Sequence, residues 1–143
     1  MIKNGLSREN LTARLRSFGI SPTHQRLEIA HALFSRMSHV SADQVLAIVN
    51  ERHAETSKAT VYNTLKLFVE TGLVREVIVD PAKVFYDPNT SPHHHLFDVE
   101  TGEITDIDAS HISITGLPEL PSGKVCAGVD LIIRVKGSRD GAA

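Results

Sequence analysis

One cysteine, Cys126, is all the thiol chemistry in this chain of 143 residues. A single thiol forms no intrachain disulfide and no multi-cysteine zinc knuckle within the chain. Long apolar runs are missing too: none approaches the roughly 18 residues of a membrane span. The opening stretch, MIKNGLSREN, lacks the apolar core of a secretory signal. These absences lead us to expect a cytoplasmic protein with no membrane partner. No internal repeat is visible.

What is present is an ordinary globular composition, 41% hydrophobic and 22% charged, enough for one domain or two small ones. The net charge of −2 hides an asymmetry. Residues 1–85 carry 11 Lys+Arg against 8 Asp+Glu, a net +3, whereas residues 86–143 carry 4 against 9, a net −5. A basic half and an acidic half point to two modules with different partners. The basic excess by itself is a weak nucleic-acid signal.

The first half reads as helices. Residues 7–18 place Leu11, Leu15 and Phe18 at helical spacing, and Gly19 stops the run. Residues 22–36 have Pro22 in the first turn and an apolar stripe of Leu27, Ala30, Leu33 and Phe34. Residues 41–53 open with a capping box, Ser41 and Gln44, flanked by Val40 and Val45 as a hydrophobic staple. Residues 57–72 form a fourth helix with the stripe Val61, Leu65, Phe68 and a stop at Gly72. Two short β-branched and aromatic runs, 73–79 and 83–86, then flank the turn DPA. Helices followed at once by a hairpin are the pattern of a winged helix-turn-helix, whose helix before the wing enters the major groove. The segment DPNTSP (87–92) reads as a hinge. Beyond it lie strand-like runs, a loop-rich stretch at 114–124, and a tail expected to be disordered. The expected organisation is thus α+β: a winged-helix domain at 1–86, a hinge at 87–92, a second module at 93–137 and a tail at 138–143.

The fourth helix carries Ser57, Lys58, Thr60, Tyr62 and Asn63 near its start. Hydroxyls, an amide and a lysine at a helix N-terminus suit phosphates and base edges. Thr23, Gln25 and Arg26, at the start of the second helix, suit backbone phosphates. The bland alternative makes Ser57 only a cap and Tyr62 only a packing residue.

Four stretches, PTHQRLEIAHALF, HVSADQVLAIV, KATVYNTLKLFVETGLVREV and HHHLFDVETGEITDI, together resemble the ferric uptake regulator (Fur) family, from about Leu11 to about Lys136. The resemblance implies a winged-helix DNA-binding domain, a small C-terminal α/β dimerisation domain, and a homodimer that represses promoters in response to a metal. The family commonly has Arg after the recognition-helix tyrosine. Here Asn63 follows Tyr62, as it often does in peroxide-stress regulators of the family.

The run His93-His94-His95 is the chemical core of the second half. On a strand, His93 and His95 share one face and His94 points to the other. A two-residue turn at Thr101-Gly102 would pair Phe97 with Asp106, putting Asp106 on the His93/His95 face, diagonal to His95. Asp87 can fold over that face, and His39 would have to come from the other domain. Three imidazoles and two carboxylates suit Fe(II), Mn(II) or Zn(II) without choosing sharply among them. The resemblance points to the same five residues: His39, Asp87, His93, His95 and Asp106 match the regulatory ligands of the peroxide-sensing branch, one by one. Iron-uptake regulators usually have Glu where this chain has Asp106. Peroxide sensors and iron response regulators (Irr) have Asp.

Two departures matter. Most members hold a structural zinc with two C-x-x-C pairs, the first of which would fall at Asp98 and Thr101. This chain lacks both pairs, so no structural four-cysteine zinc is expected, and a dimer must rely on strand pairing and apolar burial. His94 also stands where many members have Asp. A His tract without C-x-x-C resembles the Irr branch, where such a tract is implicated in haem binding, although the N-terminal Cys-Pro haem motif is absent. His94 and His111 are therefore candidates for a second metal or haem site. Cys126 is expected to be a buried apolar residue, and His24, His31 and His53 have bland readings.

These readings converge on a metal-dependent repressor of iron homeostasis or peroxide stress. It would take Fe(II) or Mn(II), with Zn(II) an in vitro substitute, and bind a palindromic, AT-rich operator as a homodimer. A haem-responsive Irr-type regulator is the alternative. A non-haem iron enzyme using His93, His95 and a carboxylate is disfavoured, because five protein ligands leave little room for substrate. A winged-helix protein-interaction module that binds no DNA is a third reading.

Overall fold

The computed structural model describes residues 6–36, 39–52 and 56–139. His53 and residues 140–143 of the expected tail lie outside them. The chain divides into two compact units, 1–90 and 91–143.

The first unit contains α1 (Arg8–Ser17), α2 (His24–Arg36), α3 (Ala42–Arg52), α4 (Lys58–Glu70), β1 (Arg75–Asp80) and β2 (Lys83–Asp87). Side chains set all four helix starts. Ser7 Oγ accepts from the Asn10 N–H at 3.0 Å, and Ser57 Oγ accepts from the Thr60 N–H at 3.1 Å. At α3 the capping box is reciprocal: Ser41 Oγ accepts from the Gln44 N–H (3.2 Å) and Gln44 Oε1 accepts from the Ser41 N–H (2.8 Å). At α2 the expectation shifts by two residues. Thr23 Oγ1 accepts from the Arg26 N–H at 3.2 Å, so Thr23 is the cap and Pro22 lies outside the helix. A proline is tolerated there, since only its fixed φ is at stake.

The apolar stripes converge. Leu11 and Leu15 of α1, Leu27, Ala30 and Leu33 of α2, Val45 and Val49 of α3, and Val61, Leu65 and Phe68 of α4 form one buried cluster. Phe18 departs from its stripe: α1 ends at Ser17 and the phenyl ring is 37% exposed. Gly72, at φ +83°, ends the α4 region with the left-handed turn that lets the chain enter the hairpin. In that hairpin β1 and β2 are antiparallel, with Val77 opposite Phe85, and Asp80 Oδ1 accepts from the Ala82 N–H across the turn (2.8 Å). A single backbone bridge adds the residue before the α3 cap to this sheet: Val40 and Tyr86 exchange two hydrogen bonds, of 3.2 and 2.7 Å.

The second unit contains β3 (His93–Asp98), β4 (Ile104–Asp108), a 3-10 turn (Ala109–His111) and β5 (Ile132–Val135), with sheet order β4-β3-β5. The β3/β4 register differs from the expected one. Phe97 pairs with Ile104, and His95 pairs directly with Asp106. The cause is local. Asp98 Oδ1 accepts from the N–H groups of Glu100 (2.9 Å) and Thr101 (3.2 Å), and the Gly102 N–H reaches the Asp98 carbonyl (2.8 Å). An aspartate that captures the backbone ahead of it favours a wider loop. The loop is thus built by Asp98 and Thr101, at the positions where the family resemblance places a cysteine pair. The slip is two residues, so Asp106 keeps its face and only moves from diagonal to opposite.

β5 runs parallel to β3, with His95 opposite Ile132. Residues 112–131 between β4 and β5 contain no helix or strand. Cys126 lies in this segment and is exposed, which corrects the expectation of burial. No core forms around it: Leu117, Leu120, Val125 and Val129 are exposed as well. Among the described residues no helix is long and apolar enough to cross a membrane.

Replacing Phe68, which is fully buried, by Ala should cost about 3–5 kcal/mol of first-unit stability through lost transfer energy and a cavity. Replacing the half-exposed Phe18 by Ala should cost less than about 1 kcal/mol. Urea denaturation of the two variants checks this, and equal losses would contradict the placement of the core.

Candidate metal centre and nucleic-acid interface

The first unit supplies one pair of groups that could hold a metal. The antiparallel bridge between Val40 and Tyr86 sets their neighbours His39 and Asp87 opposite each other. Their side chains meet with His39 Nε2 2.9 Å from Asp87 Oδ2, and both are buried. Asp87 Oδ1 accepts from the Asn89 N–H at 2.9 Å. That bond fixes the carboxylate plane and leaves Oδ2 turned towards the imidazole. Asp87 is the last residue of β2, so its position is set by the sheet. Burial pushes the phenol pKa of neighbouring Tyr86 up, helped by the charge of Glu76 and by Tyr62, so this phenol stays protonated at neutral pH.

The second unit supplies three more groups. Strand alternation sends His93 and His95 to one face of β3, and cross-strand pairing brings Asp106 of β4 to the same face. Asp106 Oδ1 lies 3.4 Å from His93 Nε2 and 3.5 Å from His95 Nε2. The two rings stand edge-to-face with centroids 4.5 Å apart. The three donor atoms lie within 4.8 Å of one another. These spacings are long for hydrogen bonds. They suit donors around a cation: ligand atoms each about 2.1 Å from a metal sit roughly 3.0–3.4 Å apart. The tautomer fits as well. His93 Nδ1 is 2.6 Å from the Ser91 carbonyl, so Nδ1–H donates there and Nε2 keeps its lone pair for a ligand bond.

His94 faces the other way and has a different task. Its Nδ1 accepts from the Leu131 N–H at 3.2 Å, satisfying a backbone donor at the entry to β5. His111 ends the 3-10 turn and is exposed. Asp108, before that turn, has its carboxyl pKa lowered first by hydrogen bonds from Ser110, with a smaller contribution from the charge of His111. Among the described residues, neither His94 nor His111 joins a group of three or more metal-binding side chains. No observation here supports haem.

The expected nucleic-acid residues lie on α4 and at the start of α2. Ser57, Lys58, Tyr62 and Asn63 are exposed, Thr60 is half-buried, and the opposite side of α4 (Val61, Thr64, Leu65, Phe68) is buried. Thr23 and Gln25 are exposed, and Arg26 is tied to the Ser21 carbonyl at 2.9 Å. Ser57 is a cap, as the bland reading had it, and its Oγ also lies 2.9 Å from Thr60 Oγ1. Tyr62 does not pack inward: it is 41% exposed, and its hydroxyl donates to Asp43 Oδ1 at 3.4 Å. Lys58 Nζ approaches the same carboxylate at 3.8 Å. Asp43 is a participant that the sequence reading missed. Its place in the first turn of α3, ahead of a hydroxyl-rich helix, was the available signal.

The pattern of the Ferric uptake regulator family matches residues 17–116. The chain belongs to that family. A similar protein is the peroxide-responsive repressor PerR of Staphylococcus epidermidis, 34% identical over 98 residues. That match covers 68% of this chain and 65% of the relative, so the chain spans just under two thirds of that relative's length. Among solved Fur-family structures, the ferric uptake regulator of Pseudomonas aeruginosa with manganese superposes with a TM-score of 0.68 at 24% identity, covering 87% of this chain and 96% of that one. The Campylobacter jejuni peroxide stress regulator gives 0.60 at 23% identity, covering 92% and 96%. At these identities the structural matches speak for the fold.

The two neighbouring imidazoles should hold opposite tautomers in the metal-free protein. His93 should carry its proton on Nδ1, facing the Ser91 carbonyl, and His94 on Nε2, because its Nδ1 accepts from Leu131. Nitrogen-15 imidazole shifts distinguish the two, and a shared tautomer would contradict the assignment.

Proposed function

We propose that this chain is a metal-dependent, DNA-binding transcriptional repressor that joins His39 and Asp87 with His93, His95 and Asp106 around one Fe(II) or Mn(II) ion. The observation that carries the reading is the existence of two half-sites, each held by backbone pairing within its own unit. Two donors or three donors alone leave a divalent transition metal largely open. Five together leave about one position of an octahedron, which favours a regulatory ion over a catalytic one. Asp87 and His93 are separated by five residues, so the tether between the halves spans at most about 20 Å. Binding by one half therefore presents the ion to the other at high local concentration.

The residues divide the work simply. His93 offers Nε2 because Ser91 holds its Nδ1–H. Asp106 presents one oxygen to both strand imidazoles. Asp87 offers Oδ2 because Asn89 holds Oδ1. An ion held by both halves would restrict the angle between the winged-helix unit and the second unit. A homodimer must place two recognition helices about one DNA turn apart, or a multiple of it. A ligand that binds this arrangement better shifts the population towards it. Dimerisation through the second unit is supported by its exposed apolar residues, among them Leu117, Leu120, Val125 and Ile133. α4 then reads a palindromic, AT-rich operator through Lys58, Thr60, Tyr62 and Asn63, with Ser57 at its cap. Thr23, Gln25 and Arg26 hold phosphates. The likeness to a peroxide-responsive repressor favours peroxide as the signal, and Fe(II) held by these residues would supply the reactivity towards it. The location is the cytoplasm, where such an operator is found.

His39→Ala and His95→Ala should each remove the metal enhancement of operator binding, a factor of about 10 or more in a gel shift with and without Mn(II). Far-UV circular dichroism should stay unchanged. Retained metal dependence in both variants would refute the shared site.

A further inference from the structure

Asp43 is an acidic residue set among the expected DNA-reading side chains, and the ligand site leaves it unused. It stands in the first turn of α3 with its side chain 73% exposed. Two groups of α4 converge on its Oδ1: the Tyr62 hydroxyl at 3.4 Å and Lys58 Nζ at 3.8 Å. Lys58 also lies over the Tyr62 ring, 5.5 Å from its centroid. A carboxylate, an ammonium and a phenol from both helices of the helix-turn-helix thus form one surface cluster. It borders a cavity of about 320 Å³ lined also by Glu76 and Tyr86 between α3, α4 and the wing. A carboxylate here is unexpected on electrostatic grounds, because the DNA backbone is anionic.

We propose that Asp43 is a positioning residue for sequence discrimination, a role that rests on the DNA-binding reading above. It lowers affinity for every duplex by occupying Lys58 and repelling phosphate. It also fixes the Tyr62 ring in one orientation, so that only a fitting base step is contacted well. The pair is exposed, and exposed ion pairs hold little energy. Operator phosphate therefore displaces Asp43 from Lys58 easily, while the poorer contacts of an unrelated sequence gain less from doing so. Discrimination by an unfavourable element against wrong partners is a general route to specificity.

The test uses the full chain with Mn(II), an operator recovered by selection from a random duplex pool, and a scrambled duplex of equal composition. Asp43→Asn keeps the shape and removes the charge. Its affinity for the scrambled duplex should rise about 3- to 10-fold, its operator affinity should change less than about 3-fold, and the specificity ratio should fall accordingly. For the scrambled duplex, the plot of log affinity against log salt should steepen by about 0.9, the mark of one additional phosphate contact by the released Lys58, while the operator slope stays as in the wild type. In the Lys58→Ala background the same change should no longer steepen the slope. Tyr62→Phe should lower the ratio without altering the slope. An unchanged ratio and slope in Asp43→Asn, with the wild type selective, would overturn the role of Asp43 alone. Failure of the wild type to enrich any sequence would overturn the repressor reading together with it. Thermal melts of each variant show whether a change in affinity reflects loss of fold.

Discussion

Two backbone hydrogen bonds between Val40 and Tyr86 carry much of the logic of this protein. They tie the residue before the α3 cap to the last strand of the wing. In doing so they bring a histidine and an aspartate, 48 positions apart in sequence (39 to 87), within 2.9 Å of each other. The same pair links the helix-turn-helix to the wing, so His39 and Asp87 sit in the same compact unit as α4.

The second unit follows a different constraint, the two-residue period of a strand. Three histidines in a row would be three equivalent groups in a coil. On β3 they split into two that meet Asp106 and one that holds the start of β5. The loop built by Asp98 alters the register by two residues, and the period absorbs the change. A slip of one would have sent Asp106 to the far face and dispersed the triad.

Much of the first unit was legible in the sequence, because its signals are local: capping boxes, apolar stripes and stop glycines each act within a few residues. The shared face of His93, His95 and Asp106 was legible for the same reason. The Val40–Tyr86 bridge was not, since a single long-range backbone pair leaves no periodic trace, and Asp87 therefore looked like a linker residue. The exposure of Cys126 was also hidden. Burial of a lone apolar residue depends on whether its neighbours build a core, and residues 112–131 do not. Asp43 was missed because its partners come from the next helix. Strand alternation pointed to the His93, His95 and Asp106 face, whereas the grouping of His39 and Asp87 with it came from the family resemblance.

In the proposed site, one ion takes donors from both units. The most direct measurement is a count of imidazole nitrogens on bound Mn(II) by pulsed electron paramagnetic resonance, in the wild type and in His39→Gln. Three imidazoles are expected in the wild type and two in the variant. Two in both proteins would overturn the shared site, because the ion would then belong to the second unit alone.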